Sequence, residues 1–309
     1  MLQGMIIVCE QVVIICLLIF LGFLGGRMRI LDKHITDGMA NIVVWFVSPA
    51  MVIIAFQREY EAAMMRSFFV TMLILGAAFV VFIALAFLLF RKKDPFRRPI
   101  LCCGVIFFNY GMIALPLEKA LFGNVGVFYG AGAIAIFNLV FWSIGAVIID
   151  GRFSGKAFLK GFLNPGFIGT VIGILLFINE ISLPAILYQT FDYISNLNVP
   201  LCMLVIGCSL SGSPMREILL DKDSWVTAIV SLIILPVLTV GILWLLNIRG
   251  IPGVCCVTAV ASPAAASISM MAAVYHKDVS LASRMTSLQT LLSMLTLPVT
   301  VSLGYALLM

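Results

Sequence analysis

Apolar residues in this chain run in long unbroken stretches separated by short charged clusters, with no sustained alternation in twos. Reading each stretch between its charged boundaries gives ten segments, at 5–26, 36–57, 67–90, 99–121, 124–149, 164–179, 185–211, 224–246, 251–275 and 281–308. All but the sixth reach the roughly 20 residues that a helix needs to cross hydrocarbon. The sixth either begins inside the preceding loop or crosses without tilt. Runs of this length are not the ten-residue alternating strands of a β-barrel. The expected fold is an all-α membrane protein with ten transmembrane helices, called segments 1 to 10 below.

Composition turns that pattern into a constraint. Of 309 residues, 62% are hydrophobic and 11% charged, against roughly 25% charged in a soluble domain, and the mean hydropathy is +1.17. Ten spans of about 22 residues use about 220 residues, which leaves too little for a separate soluble domain. The remaining classes are a pore, a carrier, a receptor or an intramembrane enzyme. Fourteen Lys and Arg residues fall in the loops after segments 1, 3, 5, 7 and 9, against Arg58, Arg66, Lys119 and Arg249 on the other side. This bias places the odd-numbered loops in the cytoplasm and both termini outside, in a multi-pass plasma (inner) membrane protein. The net charge of +5 is therefore a topology signal, and no nucleic-acid partner is expected. Met1 to Gly4 carry no positive charge and the first run ends at Gly25-Gly26-Arg27, so an N-out anchor is expected in place of a cleavable leader.

The two halves echo each other. Cys102-Cys103 recurs as Cys255-Cys256, Pro49 as Pro200, Asn138 as Gln289, and Gly22-x-x-x-Gly26 as Gly169-x-x-x-Gly173. The offsets lie near half the chain length, as two five-helix repeats (1–150 and 151–309) would require, and an odd number of spans inverts the second against the first. Inverted repeats point to a secondary transporter whose site lies where paired helices break at mid-depth. Segment 4 holds Gly111 and Pro116 near its centre, and segment 9 holds Pro263. Proline removes a backbone donor and clashes with the preceding turn, and groups freed at that depth must line a protected cavity.

At these residues the sequence resembles the auxin efflux carrier family, which includes bacterial malate-permease-like carriers. Phe108-Asn109-Tyr110-Gly111 through Leu115-Pro116-Leu117, then Ala120-Leu121-Phe122-Gly123, is similar to the family's fourth helix. Asn164-Pro165, Pro200 with Ile206-Gly207-Cys208-Ser209-Leu210, and Thr290-Leu291-Leu292-Ser293 with Thr296-Leu297-Pro298 resemble its sixth, seventh and tenth. The resemblance spans essentially the whole chain. It implies inverted five-helix repeats with segments 4 and 9 crossing at their breaks. It also implies a scaffold of segments 1, 2, 6 and 7, a moving domain of segments 3–5 and 8–10, and a homodimer through the scaffold. The implied function is secondary active or facilitative transport of small organic anions, carboxylates such as dicarboxylates or auxin-like acids, by elevator-type alternating access. One departure bears on substrate: the family often reads Gly-Asn-Thr-Gly where this chain has Phe108-Asn109-Tyr110-Gly111, so a tyrosine reshapes the pocket.

No Lys or Arg lies at mid-span, so the charge of an anion would be met by helix N-termini and neutral donors. Asn109 and Ser262 are the first candidates, with Tyr110 flanking and Asn138 and Gln289 on the following segments. Glu10, the acidic residue inside segment 1, is the candidate for proton coupling. Glu118 and Asp192 read as solvated near segment ends, Asn41 as an interface hydrogen-bond partner, and Arg284 as snorkelling to the cytoplasmic face. The eight cysteines lie within segments and His34 and His276 far apart, so neither a disulfide framework nor a metal is expected, nor any cofactor. Gly151 to Ala157 lacks the spacing of a phosphate loop, and no nucleophile–base pair suggests an enzyme. The competing readings are a sodium-coupled bile-acid-type symporter and an anion channel.

Overall fold

The computed structural model describes residues 2–152, 155–212 and 215–309; the side chains of residues 2–5, 7–9, 157 and 215 fall outside what it describes. Phe153 and Ser154, within the basic loop 151–157, therefore lie outside the described residues. Every named element is helical, and the β-structure among the described residues is one isolated bridge. Seven helices are long and apolar enough to cross a membrane: Glu10–Arg27, Lys33–Ala55, Ala62–Leu89, Asn124–Asp150, Ala185–Ser211, Lys222–Leu245 and Val279–Leu308. These are segments 1, 2, 3, 5, 7, 8 and 10. Segment 6 is the shorter helix Pro165–Ile178, started by Asn164, whose side chain accepts the Gly166 N–H at 2.9 Å.

Segments 4 and 9 are each interrupted. Segment 4 is the helix Arg98–Ile106, a non-helical stretch at 107–109, a π-turn Tyr110–Ala114 and the helix Leu115–Phe122. Segment 9 is Ile251–Ala261, an irregular stretch at 262–266, and Ser267–Val274. Proline explains part of this. The π-turns Val43–Val47, Tyr110–Ala114 and Val230–Ile234 each end two residues before a proline, at Pro49, Pro116 and Pro236. A proline offers no N–H to the preceding turn and crowds its carbonyl, and a widened turn absorbs the misfit.

Segments 1 and 7 lie against each other almost backbone to backbone. A Cβ at Gly22 would stand 2.4 Å from the Leu204 carbonyl oxygen, and one at Gly207 2.0 Å from that of Ile19. Segments 2 and 6 meet likewise, with Gly169 against Pro49 and Gly173 against Phe56. The paired glycine motifs thus serve matching contacts, segment 1 on 7 and segment 6 on 2. Segment 3 packs on 5 as 8 packs on 10, and 5 packs on 9 as 10 packs on 4. Each pairing maps onto its partner when the halves are exchanged.

At one end of the bundle a charged cluster ties the loop after segment 3 to the start of segment 8. Lys93 reaches Asp223 at 2.6 Å, and Arg97 reaches Asp221 at 2.8 Å and Asp223 at 3.2 Å. Asp221 also caps segment 8, accepting the Ser224 N–H at 3.2 Å. Burial works against its charge, but hydrogen bonds from Ser224 and Arg97, with the guanidinium's charge, outweigh it and hold the carboxyl below its usual value. Arg284 pairs with Glu217 at 3.2 Å. Asn41 is exposed on its helix and makes no hydrogen bond among the described residues, contrary to the interface bond expected for it. The seven cysteines with described side chains are unpaired, and no metal-binding cluster occurs among the described residues.

Candidate functional site: the crossing of two broken helices

The two interruptions meet. Phe108 and Ala264 form the isolated antiparallel bridge; the Asn109 N–H donates to the Pro263 carbonyl at 2.6 Å and the Ala265 N–H to that of Phe107 at 2.9 Å. Backbone groups freed by breaking each helix are thereby satisfied by the other, as the membrane interior demands. The non-helical residues of segment 4 precede Gly111 and Pro116. Gly111 is the second residue of the π-turn and faces open space, and Pro116 is buried in the first turn of the helix Leu115–Phe122. Pro263 lies within the break of segment 9.

Gln289, fully buried on segment 10, stitches the crossing together. Its Oε1 accepts the Ala264 N–H at 2.8 Å and the Ser231 hydroxyl at 2.9 Å, while its Nε2 donates to the Gly104 carbonyl at 3.0 Å. In an unbroken segment 4 that carbonyl would accept from residue 108, whose amide has left the helix. One amide side chain thus serves the cut ends of both broken helices. The Ser231 contribution went unseen in the sequence, where a serine inside an apolar helix carries no distinctive signal.

The other candidates divide by what their polar atoms already hold. Asn109 is 8% exposed, and its side-chain amide makes no hydrogen bond to protein among the described residues. Beside it the Gly111 and Met112 amides open the π-turn with no backbone acceptor among the described residues. Ser262 is buried, and its hydroxyl donates to the Thr258 carbonyl at 2.9 Å, so it donates to an anion only by turning away from that carbonyl. Asn138 stands apart from the crossing, donating to the Ile134 carbonyl at 3.0 Å and to Asn164 Oδ1 at 3.2 Å, at the start of segment 6. The Tyr110 ring is buried and its hydroxyl donates to Glu118 Oε2 at 2.5 Å. Glu118 is therefore not solvated, as its place near a segment end suggested, but fully buried. Glu10 is exposed on its helix and forms no ion pair among the described residues.

Aromatic rings wall the segment 4 side. Phe79 stacks on Phe108 with centroids 5.2 Å apart, and Phe107 meets Phe141 edge-on at 5.1 Å. A cleft bordered by Gly104, Phe107, Phe108, Ser231, Ser262 and Ala264 among others lies against the crossing, with no room for even a water molecule. Ligand pockets begin at roughly 300 Å³, so this cleft holds no substrate in this conformation, and Asn109 is not among its lining residues.

These features define a multi-pass helical membrane protein with two interrupted helices pinned at a polar crossing. The family model for "Membrane transport protein" matches the chain twice, over residues 7–157 and 151–301. The chain belongs to that family, and its two halves are repeats of one unit. It is similar to an uncharacterized transporter of Methanocaldococcus jannaschii, 22% identical over 302 residues, which cover 93% of this chain and 96% of the relative. An uncharacterized transporter of Methanothermobacter thermautotrophicus is 22% identical over 298 residues, covering 94% of this chain and 96% of the relative. The protein is a multi-pass membrane transporter.

Proposed function

We propose that this transporter carries small organic anions, carboxylates such as dicarboxylates, by an elevator-type mechanism with the substrate bound at the crossing of segments 4 and 9. The observation that carries this reading is the uncommitted Asn109 amide, placed beside two unclaimed backbone N–H groups where both helices break. Neutral donors and a helix start suit an anion: each such end contributes roughly 0.3–1 kcal/mol when exposed and up to about 2 when partly buried. Several weak contacts hold a carboxylate while still releasing it, as a carrier requires. On this reading the halves are inverted five-helix repeats, segments 1, 2, 6 and 7 form a fixed dimeric scaffold, and the rest moves. Both termini lie outside the plasma membrane, and transport needs no cofactor and no enzymatic step.

The test is uptake of labelled carboxylates into proteoliposomes, with and without imposed proton and sodium gradients. Asn109→Ala and Ser262→Ala are expected to cripple uptake while leaving folding and oligomeric state intact. Wild-type rates in the double mutant would overturn the site, and strict sodium dependence would favour a sodium-coupled symporter.

A further inference from the structure

The mechanism above makes no use of the most deeply buried acid among the described residues. Glu118 is 0% exposed, on the helix that leads from the crossing to the even-numbered loops. Its Oε2 accepts from the Tyr110 hydroxyl, and its Oε1 is buried with no hydrogen-bond partner. The neighbouring cation does not serve it: Lys119 donates to Ser195 Oγ at 2.9 Å and Asn196 Oδ1 at 3.0 Å on segment 7.

The space for this pair is built by a second segment. A Cβ at Gly130 would stand 2.3 Å from Glu118 Oε2 and 2.5 Å from the Tyr110 hydroxyl oxygen, and one at Gly126 2.3 Å from the Glu118 carbonyl oxygen. Two glycines four residues apart line one face of segment 5 and leave a groove that the pair fills. On the elements packed against this helix, the π-turn brings Tyr110, segment 5 Tyr129, and segment 9 Cys255 and Cys256. Segment 7 brings Cys202 and Cys208. Segment 1 brings Cys16, exposed Glu10 and, as the last residue of its helix, Arg27 over the Phe23 ring. None of these places a cation on Glu118.

A carboxylate buried in apolar surroundings without a cation or a full set of donors is costly, and such a group takes up a proton instead. A proton on Oε1 replaces an unpaired buried charge with an unpaired hydroxyl, the cheaper of the two. Tyr110 connects this chemistry to the substrate region, because its backbone starts the π-turn at the crossing and its hydroxyl ends on Glu118. We propose that Glu118 is the proton-binding site of this transporter: it carries one proton on Oε1 through the closed state and releases it where the protein opens, so that anion movement is coupled to proton movement. Tyr110 keeps its own proton throughout and positions the carboxyl. The inference rests on the anion-transport reading for its coupling, though not for the existence of the proton site.

Two measurements separate those parts. Infrared difference spectra of the full-length protein in lipid, titrated with acid and base, are expected to show a protonated-carboxyl band that Glu118→Gln abolishes and Tyr110→Phe shifts. Absence of such a band, or its persistence in Glu118→Gln, overturns the site. In proteoliposomes enclosing a pH-sensitive dye, external malate is expected to change the internal pH through wild-type protein. Glu118→Gln is expected to lose that change while still exchanging labelled malate. A wild-type pH change in Glu118→Gln overturns the coupling. If wild-type protein moves neither malate nor any other labelled carboxylate, the substrate reading fails and the infrared titration alone decides the proton site.

Discussion

Replacing Gln289 by leucine tests whether the crossing is held by this side chain. Leucine approximates its size and removes all three hydrogen bonds, but the three partners do not suffer equally. Ser231 also lies 2.8 Å from the Thr227 carbonyl, so its single proton turns to that acceptor when Gln289 is lost. The Ala264 amide and the Gly104 carbonyl lose the partner that replaces their helical one. Each buried group left unpaired costs about 1–3 kcal/mol, giving about 2–6 kcal/mol for the two. The lower part of that range is expected, because a partly unfolded chain in lipid or detergent finds other partners. Thermal unfolding in detergent is the assay. Gln289→Leu should lower the midpoint by several degrees, and Ser231→Ala should lower it far less. If Gln289→Leu unfolds at the wild-type temperature but raises the substrate concentration needed for half-maximal uptake, Gln289 is a substrate ligand and the bracing argument is wrong.

Two further outcomes follow from packing and charge. Gly207→Val should sharply reduce the yield of folded protein, because the new Cβ would meet the Ile19 backbone 2.0 Å away and backbone cannot move aside as a flexible side chain can. Gly38→Ala, whose Cβ meets nothing within 4 Å, should be neutral or slightly stabilising; size-exclusion profiles of both compare the two directly. Asp221 has its carboxyl held below the ordinary value of 3.8, so its charge adds stability that is fully present above that value and lost as pH falls through the lower folded-state value. The difference in unfolding temperature between wild type and Asp221→Asn should therefore be constant near neutral pH and shrink only in strong acid. A gap that closes between pH 7 and pH 5 would refute the assignment.

The sequence made the broken helices legible and misplaced one of the breaks. Proline positions are visible in any sequence, and Pro263 does sit in the interruption of segment 9. Pro116 does not mark that of segment 4, because the π-turn Tyr110–Ala114 absorbs its missing N–H and its bulk. The interruption at 107–109 arises from partners on segment 9, Pro263 and Ala265, and no local pattern announces a long-range bridge. Glu118 was hidden for a related reason. A hydropathy reading sees an acid four residues from a helix end, whereas its burial depends on Gly126 and Gly130 lying opposite. The signal that was available is the spacing: with a π-turn between them, Tyr110 and Glu118 fall two turns apart on one face. The matched Gly-x-x-x-Gly motifs were legible, since close backbone approach is a property glycine carries in itself.

The crossing also restricts where motion can occur. Pulling segments 4 and 9 apart would unpair the backbone groups of Asn109, Pro263, Ala265 and Phe107 and strip Gln289 of both its backbone partners on the broken helices. Each such group exposed inside a membrane costs several kcal/mol, so the two broken helices behave as one body. Any change of access at this site has to arise where that body meets its surroundings through side chains alone. Two such ties are Asn138 to Asn164, joining segments 5 and 6, and Lys119 to Ser195 and Asn196, joining segments 4 and 7. Both run between the segments proposed above as the moving and the fixed parts, and both can break and re-form without leaving a backbone group unpaired. A carrier whose site is rigid and whose polar ties to the frame are separable can shift the site as a unit, which is the property that elevator-type transport requires.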